Sequence, residues 1–258
     1  MKATSKALWV QKNGNAPDEY EDASSGDTLG RQSPRRFAVA DGATESLLSG
    51  PWARTLVSSF CEYPTANIRV EHLAYCAWQQ WKEWRDEYLA QRHRAGKPIA
   101  WYEEPGLRAG AYATLLGLIV RRPRQGQIGR WKAFAIGDSC LFQMREGLLV
   151  VQFPLQSSAG FDNSPSLICS VAGRNETLQK TVQVAEGEWR IGDRFLLMTD
   201  ALAKWFMVQN ESGHSHWEND EVPLRAIDQG EFAEWVDSRR EADELRNDDV
   251  TLLHIEMA

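Results

Sequence analysis

Arg36-Phe37-Ala38-Val39-Ala40-Asp41-Gly42 is the stretch from which the fold can be read. Residues Arg36 to Ala40 make a short apolar run of the length expected for a buried strand. The run stops on Asp41-Gly42, a pair that favours a turn. A strand is rigid, so a carboxylate at its end can be held in a set position. The same local grammar recurs further along. Arg194 to Met198 (RFLLM) is a second buried run, followed by Thr199-Asp200. Asn247-Asp248-Asp249 leads into a closing strand, Val250 to Ile255. A further acidic pair, Glu21-Asp22, sits in the polar loop Asn13 to Gln32.

Around these points the chain reads as strands bracketed by helices. Lys6 to Val10 opens as a strand. Pro51 starts a helix through Phe60, because proline fits a first helical turn. Asn67 to Ala95 forms a longer helix, with Leu73, Ala77, Trp81, Trp84 and Tyr88 at helical spacing. After a loop at Gly96 to Gly110 the texture turns to β: Ala113–Val120, Trp131–Ile136, Cys140–Arg145 and Leu148–Phe153. Glu146-Gly147 marks a hairpin between the last two. Thr177 to Val184 alternates as a strand would. Ala201–Val208 and Glu231–Leu245 are helical. Helices paired early and late around a block of strands predict an α+β fold on antiparallel sheet rather than alternating βαβ units. With no repeat, low-complexity segment or linker, residues 1–258 read as a single domain.

Composition narrows the function. With 29 basic residues against 36 acidic ones, the net charge is −7, which argues against a nucleic-acid partner. Short basic clusters at Arg35-Arg36, Arg121-Arg122 with Arg124, and Arg239-Arg240 read as solvated surface. No apolar run is long enough to span a membrane, and Met1 to Gly14 lacks the apolar core of a secretory signal. The four cysteines, Cys61, Cys76, Cys140 and Cys169, have neither disulfide-framework nor zinc spacing and point to a reducing cytoplasm. An acidic chain can still handle phosphate if bound cations reverse the local sign. Carboxylates at strand ends, with a Gly42 carbonyl free to approach a ligand, describe a hard-cation site for Mg²⁺ or Mn²⁺.

Each acidic fragment alone is ordinary turn chemistry; their joint order is not. Tyr20-Glu21-Asp22-Ala23, Val39-Ala40-Asp41-Gly42, Gly110-Ala111-Tyr112-Ala113-Thr114, Ile136-Gly137-Asp138-Ser139, Leu197-Met198-Thr199-Asp200 and Asp248-Asp249-Val250-Thr251 follow one another over nearly the whole chain. That series resembles the metal-dependent protein serine/threonine phosphatases of type 2C, bacterial members in particular. The resemblance implies a four-layer α-β-β-α sandwich of two mainly antiparallel sheets flanked by helices. It also implies two Mg²⁺ or Mn²⁺ ions and, more weakly held, a third. Asp41 would bridge two ions, with the Gly42 carbonyl on one of them. Asp200 and Asp248 would complete the first ion's shell, and Asp41, Asp200 and Asp248 would carry catalysis. Asp22 would add a ligand, Glu21 would orient water, and Asp138 would join Asp200 around the third ion. Two ions about 3.5–4 Å apart make a bridging water nucleophilic near neutral pH, for in-line attack on a phosphoserine or phosphothreonine left by a kinase on a protein substrate.

The chain also departs from that pattern. Ala43-Thr44-Glu45-Ser46 follows Asp41-Gly42 where His or Met and then Gly-Gly are common. Ala201 replaces a glycine, and Lys204 stands where a further third-ion carboxylate is often found. The phosphate-gripping arginine that some members carry shortly before the acidic pair is absent, Pro17-Asp18-Glu19 occupying that stretch, and nothing in the sequence selects among Lys12, Arg35 and Arg36 as its substitute. These departures keep alive a catalytically silent domain of the same fold that binds a phosphoprotein or signalling partner. A dimetal hydrolase of small phosphomonoesters is a third reading. Trp78, Trp81 and Trp84 read as core. His214 and His216 have no third ligand spaced to help them hold a metal. The loop Phe153 to Leu167 is expected to shape substrate choice.

Overall fold

The chain, seen here as a computed structural model, is described over residues 3–26, 34–65, 67–122, 128–162, 164–213 and 228–258. His214, His216, Arg124 and the end of the acidic loop lie outside these. Its strands are β1 (Ala3–Val10), β2 (Ala23–Gly26), β3 (Arg35–Ala40), β4 (Tyr112–Ala113), β5 (Leu115–Arg121), β6 (Gly129–Ile136), β7 (Cys140–Arg145), β8 (Leu148–Phe153), β9 (Ile168–Cys169), β10 (Gln183–Trp189), β11 (Arg194–Met198) and β12 (Val250–Met257). The helices are α1 (Ser49–Cys61), α2 (Val70–Arg94), α3 (Glu104–Ala109), α4 (Leu178–Thr181), α5 (Asp200–Glu211) and α6 (Gln229–Glu241).

Two five-stranded sheets, ordered β1-β12-β11-β7-β8 and β10-β6-β5-β3-β2, contain every strand among the described residues except the small β4-β9 pair. All their pairings are antiparallel. Three apolar clusters define four layers. Phe37 and Val39 of β3 meet Leu116 and Leu118 of β5, Phe195 and Leu197 of β11, and Leu253 and Ile255 of β12 between the sheets. Ala38 and Ala40, pointing the other way, pack with Trp52, Leu56 and Phe60 of α1. On the far side Leu196, Met198 and Leu252 pack with Leu202 and Phe206 of α5 and Phe232 of α6. Side chains alternate along a strand, and here both faces are covered. The strands therefore read as continuous apolar runs, which antiparallel sheets show only when neither face meets water. Burying each such Phe or Leu stabilises the fold by about 1.5–3 kcal/mol.

Several local readings change in three dimensions. The polar loop Asn13 to Gln32 contains β2, which pairs Ala23–Gly26 with Phe37–Ala40; β3 recruits it through backbone bonds that need no apolar side chains. The loop Gly96 to Gly110 contains α3. The alternating stretch Thr177 to Val184 is not one strand: buried Leu178 anchors the single turn α4, and β10 starts only at Gln183. The run Ala113 to Val120 breaks at Thr114, whose backbone and hydroxyl are used elsewhere. The β7–β8 hairpin forms as expected. Glu146 and Gly147 have φ of 50° and 78°, the paired positive values of a two-residue I′ turn.

Of the tryptophan series on α2, Trp81 alone is buried, edge-on to Trp52 at 5.5 Å. Trp84 is exposed and stacks between Trp81 and Tyr88 at 5.0 and 5.2 Å. A spacing of three drifts off the packed stripe of a 3.6-residue helix within two steps. All four cysteines are free thiols; Cys61, Cys140 and Cys169 are buried and Cys76 is partly so. Among the described residues no helix is long and apolar enough to cross a membrane.

Candidate metal centre

The antiparallel pairings bring the ends of β3 and β11, the start of β12, the turn before β7 and the acidic loop before β2 to one edge of the sandwich. Asp41 follows the last residue of β3. Its amide donates to the Thr114 hydroxyl at 2.9 Å, while the Thr114 amide donates to the Asp41 carbonyl at 2.8 Å. The Thr114 hydroxyl also shares a hydrogen bond with Ser139 at 3.0 Å. The Gly-x-x-x-Thr and Gly-Asp-Ser fragments thus brace the end of β3. Gly137 has φ +103°, and a Cβ there would meet the Thr114 side chain at 2.5 Å. Glycine alone suits that approach.

Asp22 is buried and held from two strands. Thr199 donates to its Oδ2 at 2.9 Å and Thr251 to the same oxygen at 2.7 Å. Thr199 stands at the N-cap of α5, yet its hydroxyl makes no cap; it accepts instead from the Thr251 amide at 3.0 Å. Since the single proton of Thr251 goes to Asp22, Tyr20 is left to donate to the Thr251 oxygen. Glu21, next in line, accepts from Ser49 at the start of α1. A Cβ on Gly42 would strike the Glu21 carbonyl at 2.7 Å and the Ser49 backbone at 2.9 Å. The glycine is what lets Asp41 and Glu21 approach.

Of the two adjacent aspartates before β12, Asp249 is the buried brace: it accepts from the Lys12 amide at 2.8 Å and the Glu21 amide at 2.7 Å. Asp248 is more open, its side chain 17% exposed, and Asp200 at 18% resembles it. Both reach Arg246, which bonds Asp248 and lies 3.4 Å from Asp200. As the side chains stand, no three carboxylates, imidazoles or thiols among the described residues form a closed ligand set.

Electrostatically the aspartates behave as one group. Burial pushes the Asp41 carboxyl well above the usual range, and the charges of Asp22, Asp200, Asp138 and Asp248 push it further. Asp22 is raised well above its ordinary value by burial and by Asp249 and Asp200, against its two threonine bonds. Asp138 is pushed up to about 7 by burial, with Asp200 adding to it. Asp200 is raised by burial; Arg246 and Lys204 pull the other way. Glu21 is raised, first by burial. Such a set of anions is poorly satisfied by itself. Asp22 Oδ1 and Asp138 Oδ1 are buried without a hydrogen-bond partner, a costly condition unless a cation or other donor meets them. An all-oxygen set of this kind fits Mg²⁺ or Mn²⁺.

The structure therefore gathers Asp22, Asp41, Asp138, Asp200 and Asp248, with Gly42 and Glu21 adjoining. Arg35 and Arg36 stand at the opposite end of β3, roughly 17–20 Å of strand from Asp41 at about 3.3 Å per residue. The Arg35 guanidinium is spent on the Ala3 carbonyl and the Phe37 ring. The hydroxyls of Tyr20, Thr114, Thr199 and Thr251 and the Arg246 guanidinium went unread in the sequence. The adjacency of Thr199 to Asp200 and of Thr251 to Asp248-Asp249 was the available signal.

A family comparison matches residues 19–234 to protein phosphatase 2C, and the chain belongs to that family. Among solved structures it is similar to the photosystem II phosphatase PBCP, with 15% identity, a TM-score of 0.60, and coverage of 100% of this chain and 99% of that one. The catalytic domain of the serine/threonine protein phosphatase PstP, solved with two manganese ions, gives 17% identity and a TM-score of 0.54 over 98% and 97% of the two chains. The phosphatase domain of SpoIIE from Bacillus subtilis gives 14% and 0.52 over 99% and 92%. At these identities the likeness is one of fold. No curated protein sequence matches the chain.

Proposed function

We propose that the protein is a cytoplasmic, Mg²⁺- or Mn²⁺-dependent phosphoprotein phosphatase that hydrolyses phosphoserine and phosphothreonine introduced by a serine/threonine kinase. The observation that carries this reading is the convergence of five aspartates, Asp41 feeling the charges of the other four, with buried oxygens of Asp22 and Asp138 left unpartnered. Family membership and the two manganese ions of PstP support it.

Asp41, Asp200, Asp248 and Asp22, with the Gly42 carbonyl, would hold two ions; Asp138 with Asp200 would hold a weaker third, and Lys204 disfavours it. When bound, the ions supply an activated water and the positive charge that a phosphoryl dianion needs. The chain's own part is placement. Thr114 and Ser139 keep the Asp41 backbone in position, Thr199 and Thr251 orient Asp22, and Glu21, held by Ser49, is placed to orient water at the site.

One observation favours a second reading, a catalytically silent domain that binds a phosphoprotein: Arg246 engages both Asp200 and Asp248. Turnover of p-nitrophenyl phosphate and of a phosphothreonine peptide, with Mn²⁺, with Mg²⁺ and with EDTA, separates the two. Metal-dependent hydrolysis lost in Asp41→Asn is expected. Hydrolysis that survives chelation would sink the metal mechanism, inactivity with metal bound would favour the silent domain, and preference for free phosphosugars would favour a small-molecule esterase.

A further inference from the structure

The turn between α6 and β12 is pinned at both ends and open in the middle. Leu245 is buried at one end and Asp249 at the other, and the Leu245 amide closes the helix onto the Arg239 carbonyl at 3.2 Å. Between them the Asp248 amide donates to the Arg246 carbonyl at 3.0 Å. The backbone thus holds Arg246 beside the carboxylates, while its side chain remains 63% exposed. From there the guanidinium takes Oδ2 of Asp248 and Oδ2 of Asp200. One carboxylate comes from the first residue of α5 and the other from its own turn.

Resting on the dimetal reading above, we propose that Arg246 is a tethered counter-cation of the metal site: it closes Asp200 against Asp248 in the metal-free chain and gives both up when a divalent cation binds. A guanidinium is flat and carries several donors, so one side chain spans two carboxylates from different elements. It stays charged at any neutral pH, so the competition is set by geometry and not by protonation. It brings a single charge where a divalent ion brings two, and the two carboxylates it spans are among those that would hold that ion. Release requires only a rotation of an exposed side chain into solvent, with little packing lost.

The test is Mn²⁺ binding by calorimetry to the full chain, wild type against Arg246→Gln and Arg246→Lys. Loss of a competitor tightens binding; for a partly exposed ion pair the expected gain in Arg246→Gln is about two- to fivefold, with Arg246→Lys between the two. Unchanged or weaker binding in Arg246→Gln overturns the proposal and leaves the phosphatase reading standing. Failure of all three chains to bind Mn²⁺ overturns both. A second readout is taken on the wild-type chain itself. The Arg246 guanidinium signals of Nη1 and Nη2, the donors to Asp200 and Asp248, assigned by through-bond correlation to the residue's own backbone, should move to the position of a free arginine as diamagnetic Mg²⁺ is added. A signal that stays at its paired position in saturating Mg²⁺ overturns the proposal.

Discussion

The Thr199 hydroxyl donates to Asp22 across 2.9 Å, linking residues 177 apart in sequence. Thr251 reaches the same oxygen from the neighbouring strand, while the other oxygen of Asp22 has no partner. Asp22 is therefore a buried carboxyl oriented by two hydroxyls and otherwise unsatisfied. Replacing either threonine by valine keeps the shape and removes a donor. Each variant should lose about 1–3 kcal/mol of stability in urea denaturation with EDTA, and the loss should shrink in saturating Mn²⁺. A loss that is the same with and without metal would show that the two hydroxyls brace the fold independently of any bound ion.

Mutual repulsion among the aspartates makes the metal-free site a weak point. Asp41→Asn removes the charge that all the others act on and should raise stability in EDTA by about 0.5–2 kcal/mol while abolishing metal-dependent hydrolysis. Thermal unfolding beside a phosphatase assay checks both halves. A destabilised variant would mean that Asp41 holds the fold through its carboxylate.

The raised carboxyls set the pH dependence of the metal-free protein. Asp138 sits at about 7 in the fold against about 3.9 unfolded, so between these values the folded chain binds the extra proton. Its contribution to stability is fully present below about pH 4 and is lost as pH rises through about 7, with a slope approaching ~1.4 kcal/mol per pH unit inside that window. Asp41 and Asp22, raised by burial, act in the same direction. Urea midpoints in EDTA should therefore fall from pH 5 to pH 8, and saturating Mg²⁺ should flatten the fall. A midpoint that climbs with pH in EDTA would contradict the burial of these groups.

Gly42→Ala places a methyl against the Glu21 carbonyl at 2.7 Å and the Ser49 backbone at 2.9 Å. Neither is the free end of a side chain, so the acidic loop must move. We expect a loss of about 1–3 kcal/mol together with weaker Mn²⁺ binding, read by denaturation and calorimetry. Wild-type affinity in a destabilised variant would separate the loop's packing from the site.

Trp81 and Trp84 share a helix and differ in burial. Trp81→Ala should cost about 3–5 kcal/mol, and Trp84→Ala under about 1 kcal/mol, by urea denaturation. Equal losses would show that the stacked series behaves as one packed unit.

How much of this was legible beforehand depends on the range of the interaction. The strands β3, β11 and β12 are written locally, because a run such as Phe37-Ala38-Val39-Ala40 has both faces buried and stops at an aspartate. The Glu146-Gly147 turn is likewise local, since its two positive φ angles are set by two residues. Strand β2 was not legible, because Ala23-Ser24-Ser25-Gly26 has no apolar pattern and pairs only through the backbone supplied by β3. Nor was α4, where one buried leucine decides between a turn and a strand.

The order of strand-borne aspartates, from Asp41 to Asp200 and Asp248, is a property of the chain read end to end, and with the fragments around them it carries the resemblance to the family. Folding alone decided that Asp249 braces the Lys12 and Glu21 amides while Asp248 stays open, that two threonines orient Asp22, and that Arg246 lies across Asp200 and Asp248. The reason is physical: apolar periodicity is enforced by neighbours a few residues away, whereas a hydrogen bond between residues 177 or 229 positions apart exists only once both sheets have packed and their ends coincide.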